Sequence, residues 1–405
     1  KNRLETFAEG GPGEEAAQVS DQAAAPAPQG DPLGMAGASC MQEMVLSVSS
    51  EDDSAHLWEL RTATTLVSYR PAASDGALAT VGQDLFAVPQ PAKASLHVFG
   101  WRKDQPHARC ALPEKLTALA ASADGAFMLG GGATGRVYLW EAPSGAMLRT
   151  WEAHYRAVTS LAFTDDGTHA LSGSEDSLLR AWPLAQILDY ASGQQAPPTA
   201  SHTWNLHTLP VTAVVVGAGG CGARVCSASM DRTVRVWHIT TGACLAVAQV
   251  PSPVTALALH PCDETLFAGG SDGDIYAMDL VAPVPSNTGT PSLVRAQHFH
   301  GHTGAISSLT TSFDGSMLVS ASRDGTAKVW DCASGQALKT FTGHRGPVSC
   351  VRAMLRPPNL LDGPHIKVKT PFSLLARRCE LEDATSAHFA GPSRTLPVLT
   401  LSACN

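Results

Sequence analysis

A strand-ending tryptophan recurs along this chain at a nearly constant interval, and few folds are compatible with that rhythm. Aligned on Trp237, which closes the string SASMDRTVRVW (227–237), the equivalent positions are Trp58, Phe99, Trp140, Trp182, Met278 and Trp330, at successive gaps of 41, 41, 42, 55, 41 and 52 residues. A repeat of about forty residues, made of short strands between Gly and Asp turns, marks units that each bury a sheet against the next. Seven anchors predict an all-β, seven-bladed β-propeller over 41–355. Residues 1–40 are rich in Ala, Gly, Pro, Gln and Glu without apolar periodicity, and are expected to form a disordered low-complexity extension. Residues 356–405 are expected to form an extended or partly disordered C-terminal arm. The first residue is Lys, and Met35, a few residues ahead of the first strand pattern, is the expected natural start.

The copy over 302–344 shows the unit most plainly. An inner strand AISSLTT leads through Phe313, Asp314 and Gly315 to SMLVSAS, then through Arg323, Asp324 and Gly325 to TAKVW, and QALKTFT closes the blade. The fourth blade, HYRAVTSLAFTDDGTHALSGSEDSLLRAW, and the fifth, HTLPVTAVVV followed by ARVCSASMDRTVRVW, repeat it. These strings resemble WD repeats, and the resemblance implies a buried hydrogen-bond tetrad in three blades. Its members would be His154, Ser172, Asp176 and Trp182; His207, Ser227, Asp231 and Trp237; and His302, Ser320, Asp324 and Trp330. In such a tetrad the carboxylate orients the imidazole, the imidazole meets the hydroxyl and the hydroxyl meets the indole N–H, so each buried polar group finds a partner. Blades two, three and six depart from it, with Phe99 and Met278 for Trp and no Asp among Gly131–Thr134, and are expected to rely on packing alone.

Closure is the next requirement, since an open ring exposes two sheet edges. The first blade has three evident strands but no inner strand before Met44, whereas GPVSCVRAML after His344 resembles the inner strands VTSLAF and VTALAL. Residues 347–354 are therefore expected to supply the inner strand of blade one and to latch the ring. From Arg345 onward lies the densest basic stretch, Arg345, Arg352, Arg356, Lys367, Lys369, Arg377 and Arg378, read as a solvated arm in preference to an RNA contact.

Composition narrows the function. With 36 acidic against 28 basic residues the chain lacks the footprint of a broad nucleic-acid-binding surface, so any RNA contact is expected to be local or made through partners. Ten scattered cysteines without C-x-x-C spacing read as reduced thiols of an intracellular protein. No long apolar run suggests a membrane span. Two G-x-G-x-x-G matches, at Gly130, Gly132 and Gly135 and at Gly217, Gly219 and Gly222, are followed by strands where a dinucleotide site needs a helix, and both read as turns. His298, His300 and His302 alternate as strand ligands would, but His302 falls on the tetrad and no third ligand stands nearby in sequence, so no metal is expected. No nucleophile elbow, P-loop or H-E-x-x-H string is present. The expectation is a non-enzyme without cofactor or small-molecule substrate.

The irregular intervals carry the remaining information. The gap of 55 holds LDYASGQQAPPTAS and the gap of 52 holds APVPSNTGTPS, both between third and fourth strands, while blade five carries GAGGCG between its first and second. In a four-stranded meander these connections emerge on one face, which makes Tyr190, Gln194, Gln195, Cys221, Asn287 and Ser292 candidate partner-binding residues. WELRTATTLVSYR, FGWRKDQPH, the blade-five string and FAGGSDGDIYAMDL resemble the WD repeat-containing protein 18 family over roughly 42–355. That resemblance implies a nuclear scaffold, nucleolar and nucleoplasmic, whose partners are protein subunits of a rixosome-like complex and pre-60S particles. It implies a part in removal of internal transcribed spacer 2 from precursor rRNA, with a link to DNA replication licensing in fungal relatives. The alternative is a generic WD-repeat adaptor such as a ubiquitin-ligase substrate receptor or a ciliary or vesicle scaffold. The family's long charged C-terminal helix has no counterpart in 356–405, which lacks heptad periodicity, so dimerisation is not carried over.

Overall fold

Apolar runs bounded by turn-forming residues set the strands. In the turn at 312–316 the Asp314 carboxylate accepts from the Ser312 hydroxyl at 2.6 Å and from the Ser316 N–H at 2.9 Å, and Gly315 takes φ 73°, so the chain reverses without an unpaired donor. The next strand, Met317–Ser322, is buried at every position after its first, and so are Phe127–Gly132, His169–Ser174, Arg224–Ser229 and Thr265–Gly270. A strand covered on both faces needs a continuous run of small and apolar residues, as these have. A computed structural model describes residues 42–189, 197–284, 290–357, 360, 374 and 375 of the chain, all within the unit Met41–Asn405.

Among the described residues the 28 strands build an all-β propeller of antiparallel four-stranded meanders, with only a single four-residue α-helix, Leu184–Ile187. Hydrogen bonding groups the strands into six sheets where seven separate blades were expected. Five sheets have four strands and one has eight. The large sheet is two meanders, anchored by Trp237 and Met278, joined edge to edge where Val247 lies parallel to Ser292 and its N–H donates to the Pro291 carbonyl at 2.9 Å. The inserted segment before Ser292 lengthens that edge: the third and fourth strands of the Met278 meander run Ile275–Val284 and Ser292–Phe299, ten and eight residues against the usual five or six.

The first and last described strands meet: Val348–Leu355 pairs antiparallel with Glu43–Ser49, Val45 opposite Ala353, and gives a sheet in the order Val348–Leu355, Glu43–Ser49, Ala55–Glu59, Thr65–Tyr69. Successive inner strands are tied by hydroxyls. Thr117 donates to the Val158 carbonyl at 2.6 Å, Thr159 to Val211 at 2.6 Å, Thr212 to Val254 at 2.7 Å, Thr255 to Ile306 at 2.5 Å and Ser307 to Val348 at 2.5 Å. Each such bond contributes about 0.5–1.5 kcal/mol, and the set fixes the stagger of six successive inner strands. Apolar layers fill the space between meanders, as where Leu171 and Ala181 of one meet Val211, Val225 and Trp237 of the next.

Candidate docking faces

Three hydrogen-bond relays stand beneath one rim of the disc. In the Trp182 meander the indole N–H donates to Ser172 Oγ at 2.9 Å, Ser172 Oγ lies 2.8 Å from His154 Nε2, and His154 Nδ1 lies 3.0 Å from Asp176 Oδ2. The corresponding distances are 2.9, 2.8 and 3.1 Å for Trp237, Ser227, His207 and Asp231, and 2.8, 2.7 and 2.9 Å for Trp330, Ser320, His302 and Asp324. Because an indole only donates, the hydroxyl proton turns to Nε2 and the imidazole proton sits on Nδ1, facing the carboxylate. Burial alone would raise Asp324, but hydrogen bonds from Thr326 and His302 outweigh it and hold its carboxyl down at about 2. Asp176 and Asp231 are likewise held low against burial by their histidines and neighbouring N–H groups. The relays spend their polar groups on one another and on the adjoining turns, so they offer a docked partner rigid turns in place of free chemistry.

A fourth relay, absent from the sequence reading, joins the two ends of the propeller. Trp58 Nε1 donates to Ser47 Oγ at 2.8 Å, and Ser47 Oγ lies 2.8 Å from Nε2 of His344, 297 residues away in sequence. Its last link is stretched: His344 Nδ1 is 3.8 Å from Asp52 Oδ2, which instead takes the backbone N–H groups of Arg345 and Gly346. His344 is almost fully buried with its ring 4.6 Å from that of His56, and desolvation together with that neighbour pushes its pKa down to about 4 despite Asp52.

Two meanders expected to rely on packing alone carry polar links of another kind. Tyr138, two residues before Trp140, donates to Glu114 Oε1 at 2.9 Å, and Thr134 donates to the same carboxylate. Tyr276, two residues before Met278, donates to Asp272 Oδ2 at 2.6 Å. Burial and these carboxylates raise both phenols, Tyr276 to about 12. A phenol thus stands in for the indole–serine–histidine chain in these two meanders. Toward the Phe99 meander, Tyr69 of the Trp58 meander donates to the Trp101 carbonyl at 2.7 Å, and Trp101 Nε1 donates to the Gln83 carbonyl at 2.9 Å. The first glycine string also departs from its turn reading: Gly130 and Gly132 lie in the strand Phe127–Gly132, and a Cβ on Gly130 would stand 2.7 Å from the Trp140 ring.

The face carrying first-to-second and third-to-fourth connections holds Cys221 and Ser292, while Tyr190, Gln194, Gln195 and Asn287 lie outside the described residues. Cys221 sits in the single turn Gly220–Gly222, where its carbonyl accepts from Thr240 of the third-to-fourth hairpin of the same meander. Ser292 is not a loop residue but the first of its strand, opposite Val247 and Val284. Asp165 and Asp263 border this region, both raised by burial. The opposite face, which sequence reasoning did not single out, exposes large apolar side chains on two adjacent meanders: Tyr155, 87% exposed, with Leu206, Leu209 and Met230. Each follows or precedes a turn where solvated residues are the rule, and that misplacement in sequence was the available signal.

The basic stretch does not form a single solvated stripe. Arg352 lines the central cavity of about 450 Å³ among hydroxyl and aliphatic side chains, Arg345 borders the seam beside His56 and Arg70, and Arg356 binds the Gln42 side chain and the Leu360 carbonyl. Lys367, Lys369, Arg377 and Arg378 lie outside the described residues.

Meanders anchored by Trp and tied by His–Ser–Trp relays define a WD-repeat propeller, and the model of the WD domain, G-beta repeat, matches residues 145–183, 199–238, 242–277 and 293–331. Similarity extends well beyond those repeats. The chain is 35% identical to Protein ROOT INITIATION DEFECTIVE 3 of Arabidopsis thaliana, over 77% of this chain and 72% of that protein. It is 33% identical to WD repeat-containing protein 18 of Mus musculus over 78% of this chain and 73% of the relative, and 34% identical to Pre-rRNA-processing protein IPI3 of Yarrowia lipolytica over 67% and 64%. The chain belongs to the WD repeat-containing protein 18 family.

Proposed function

We propose that this protein is a non-catalytic scaffold of a nuclear ribosome-assembly complex, acting in pre-60S maturation and removal of internal transcribed spacer 2 from precursor rRNA. Each half of the eight-stranded sheet counts in this reading as one blade of a seven-bladed ring. The observation that carries the proposal is identity sustained over most of the propeller with relatives named for pre-rRNA processing, 34% in Yarrowia lipolytica and 26% over 76% of this chain in Schizosaccharomyces pombe. Two features of the molecule support it. The relays are closed on themselves, which leaves surface and not buried chemistry as the functional resource. The exposed apolar side chains Tyr155, Leu206, Leu209 and Met230 suit a protein partner, and the net charge of −8 suits indirect contact with RNA.

The partners in this reading are protein subunits of a rixosome-like complex and pre-60S particles, met in the nucleolus and nucleoplasm. Affinity purification of the full chain followed by mass spectrometry tests it. Large-subunit precursors and a spacer-processing nuclease should co-purify, and depletion should enrich precursors that retain the spacer. Recovery of cullin adaptors or vesicle-coat proteins, with normal spacer removal after depletion, would place the chain among generic WD-repeat adaptors. Replacing 190–196 and 285–289 by short linkers addresses the insertion face. Tyr155→Glu with Leu209→Glu addresses the apolar one, and whichever set abolishes co-purification marks the docking face.

A further inference from the structure

Asp274, His298 and His300 meet on the face that carries the second-to-third turns. Asp274 stands in the turn between Thr265–Gly270 and Ile275–Val284, and His298 and His300 lie at and just past the end of Ser292–Phe299. His298 Nε2 is 3.1 Å from Asp274 Oδ2, and His300 Nδ1 is 2.5 Å from Asp274 Oδ1. One donor atom from each of the three residues falls within 4.8 Å of the other two. His302 is not part of the group, because its two nitrogens are engaged by Ser320 and Asp324.

We propose that Asp274, His298 and His300 form a binding site for a divalent cation of the zinc class. Two imidazole nitrogens and one carboxylate oxygen are the donor set that Zn²⁺ and its neighbours Co²⁺ and Ni²⁺ prefer, whereas Ca²⁺ and Mg²⁺ require a shell of oxygens. Bonds of about 2.0–2.1 Å in tetrahedral geometry set ligand atoms about 3.3 Å apart. Two of the separations here, 2.5 and 3.1 Å, fall below that value and the third lies within 4.8 Å, so small side-chain rotations suffice. With the cation at His298 Nε2 and His300 Nδ1, each neutral ring would carry its single proton on its other nitrogen.

The surroundings hold the ligands. The His298 ring stacks on Tyr276, centroids 4.8 Å apart and 16° from parallel, and the Tyr276 hydroxyl is fixed on Asp272. The Asp274 N–H donates to Asp272 Oδ1 at 3.2 Å and its carbonyl accepts from the Gly270 N–H at 2.8 Å, which fixes the turn. Such outer partners orient a ligand and raise affinity. Side-chain exposure rises from 17% at Asp274 to 37% at His298 and 70% at His300, so the fourth position opens to solvent, where water or a side chain of a bound protein completes the shell.

The test uses the full chain stripped with chelator and titrated with Zn²⁺ by calorimetry, and with Co²⁺ by visible absorption. One cation per chain is expected, with the weak d–d bands of a nitrogen and oxygen shell and no thiolate charge-transfer band. His300→Asn, at an exposed position, and Asp274→Asn, which keeps the size of a largely buried side chain, should each weaken binding at least tenfold and abolish the rise in Tm that Zn²⁺ gives the parent. Binding unchanged in both variants, a thiolate spectrum, or no binding by the parent would overturn the site. None of these outcomes bears on the ribosome-assembly reading, which rests on other residues.

Discussion

The seam relay makes the ring sensitive to mild acid through one side chain. His344 has a pKa of about 4 in the folded chain against an ordinary 6.5, because burial and the adjacent His56 oppose its charge more than Asp52 supports it. The unfolded chain therefore takes up a proton near pH 6.5 that the folded chain refuses until near pH 4. The contribution of neutral His344 is complete above 6.5 and is lost progressively as the pH falls, at about 1.36 kcal/mol per pH unit. By pH 5 the loss is about 2 kcal/mol, and across the full interval about 3 kcal/mol, a large share of a typical folding free energy. The Asp carboxylates of the relays do not confuse this window, since they are depressed below 3.8 and their stabilisation disappears only at lower pH, Asp324 near 2. Other histidines do contribute: His56, His169 and His302 are also lowered, each by burial first. The measurement is accordingly a difference. Urea unfolding of the parent and of His344→Gln between pH 7.5 and 4.5 should give curves that converge by about 2 kcal/mol at pH 5, the variant being less stable at pH 7.5 and less acid-sensitive. Parallel curves for the two proteins would show that His344 is not held neutral, and the argument from its burial would fail.

Other perturbations follow from the same accounting of polar groups. Ser320→Ala strips the partner from both Trp330 Nε1 and His302 Nε2 and should cost about 2–4 kcal/mol in chemical unfolding, with Ser47→Ala close behind because Trp58 and His344 lose theirs. Tyr138→Phe and Tyr276→Phe should each cost about 1–3 kcal/mol, whereas blades held by packing alone would be indifferent to loss of the hydroxyl. Ending the chain at Gly346 removes the strand Val348–Leu355 and exposes the edge of Glu43–Ser49. The product should show no cooperative unfolding transition and should aggregate, and a truncated chain with the parent Tm would refute the seam.

The anchor period made the all-β WD propeller legible, because a fold whose units stack on one another repeats its buried aromatic at the length of one unit. The inner-strand ties were legible too, though unread: Leu116-Thr117, Val158-Thr159, Val211-Thr212, Val254-Thr255 and Ile306-Ser307 all place a hydroxyl directly after the first buried residue. What the chain order hid were partnerships across distance. Ser47 and Trp58 stand eleven residues apart where Ser320 and Trp330 stand ten, and the extra residue lies in the turn where Asp53 takes φ 50°. That one-residue excess masks the tetrad in an alignment and also explains why Asp52 reaches only to 3.8 Å of His344.

Asp274 escaped notice as a companion of His298 and His300 for a related reason. It is 24 residues before His298 in sequence, yet it ends the turn that feeds the strand on which His298 pairs with Tyr276. Hairpin register, not proximity in the chain, decides which side chains share a volume. Two of the three meanders that lack the His–Ser–Trp relay, those of Trp140 and Met278, carry Tyr two residues before the anchor, and both aim it at an acid. The substitution is thus one solution used twice: when the hydroxyl of Ser no longer links indole to imidazole, the buried rim of the meander still requires a donor for its carboxylate. A search that asks each blade which group satisfies its acid would find Glu114 with Tyr138 and Asp272 with Tyr276. A search that asks which blades match a motif passes over both.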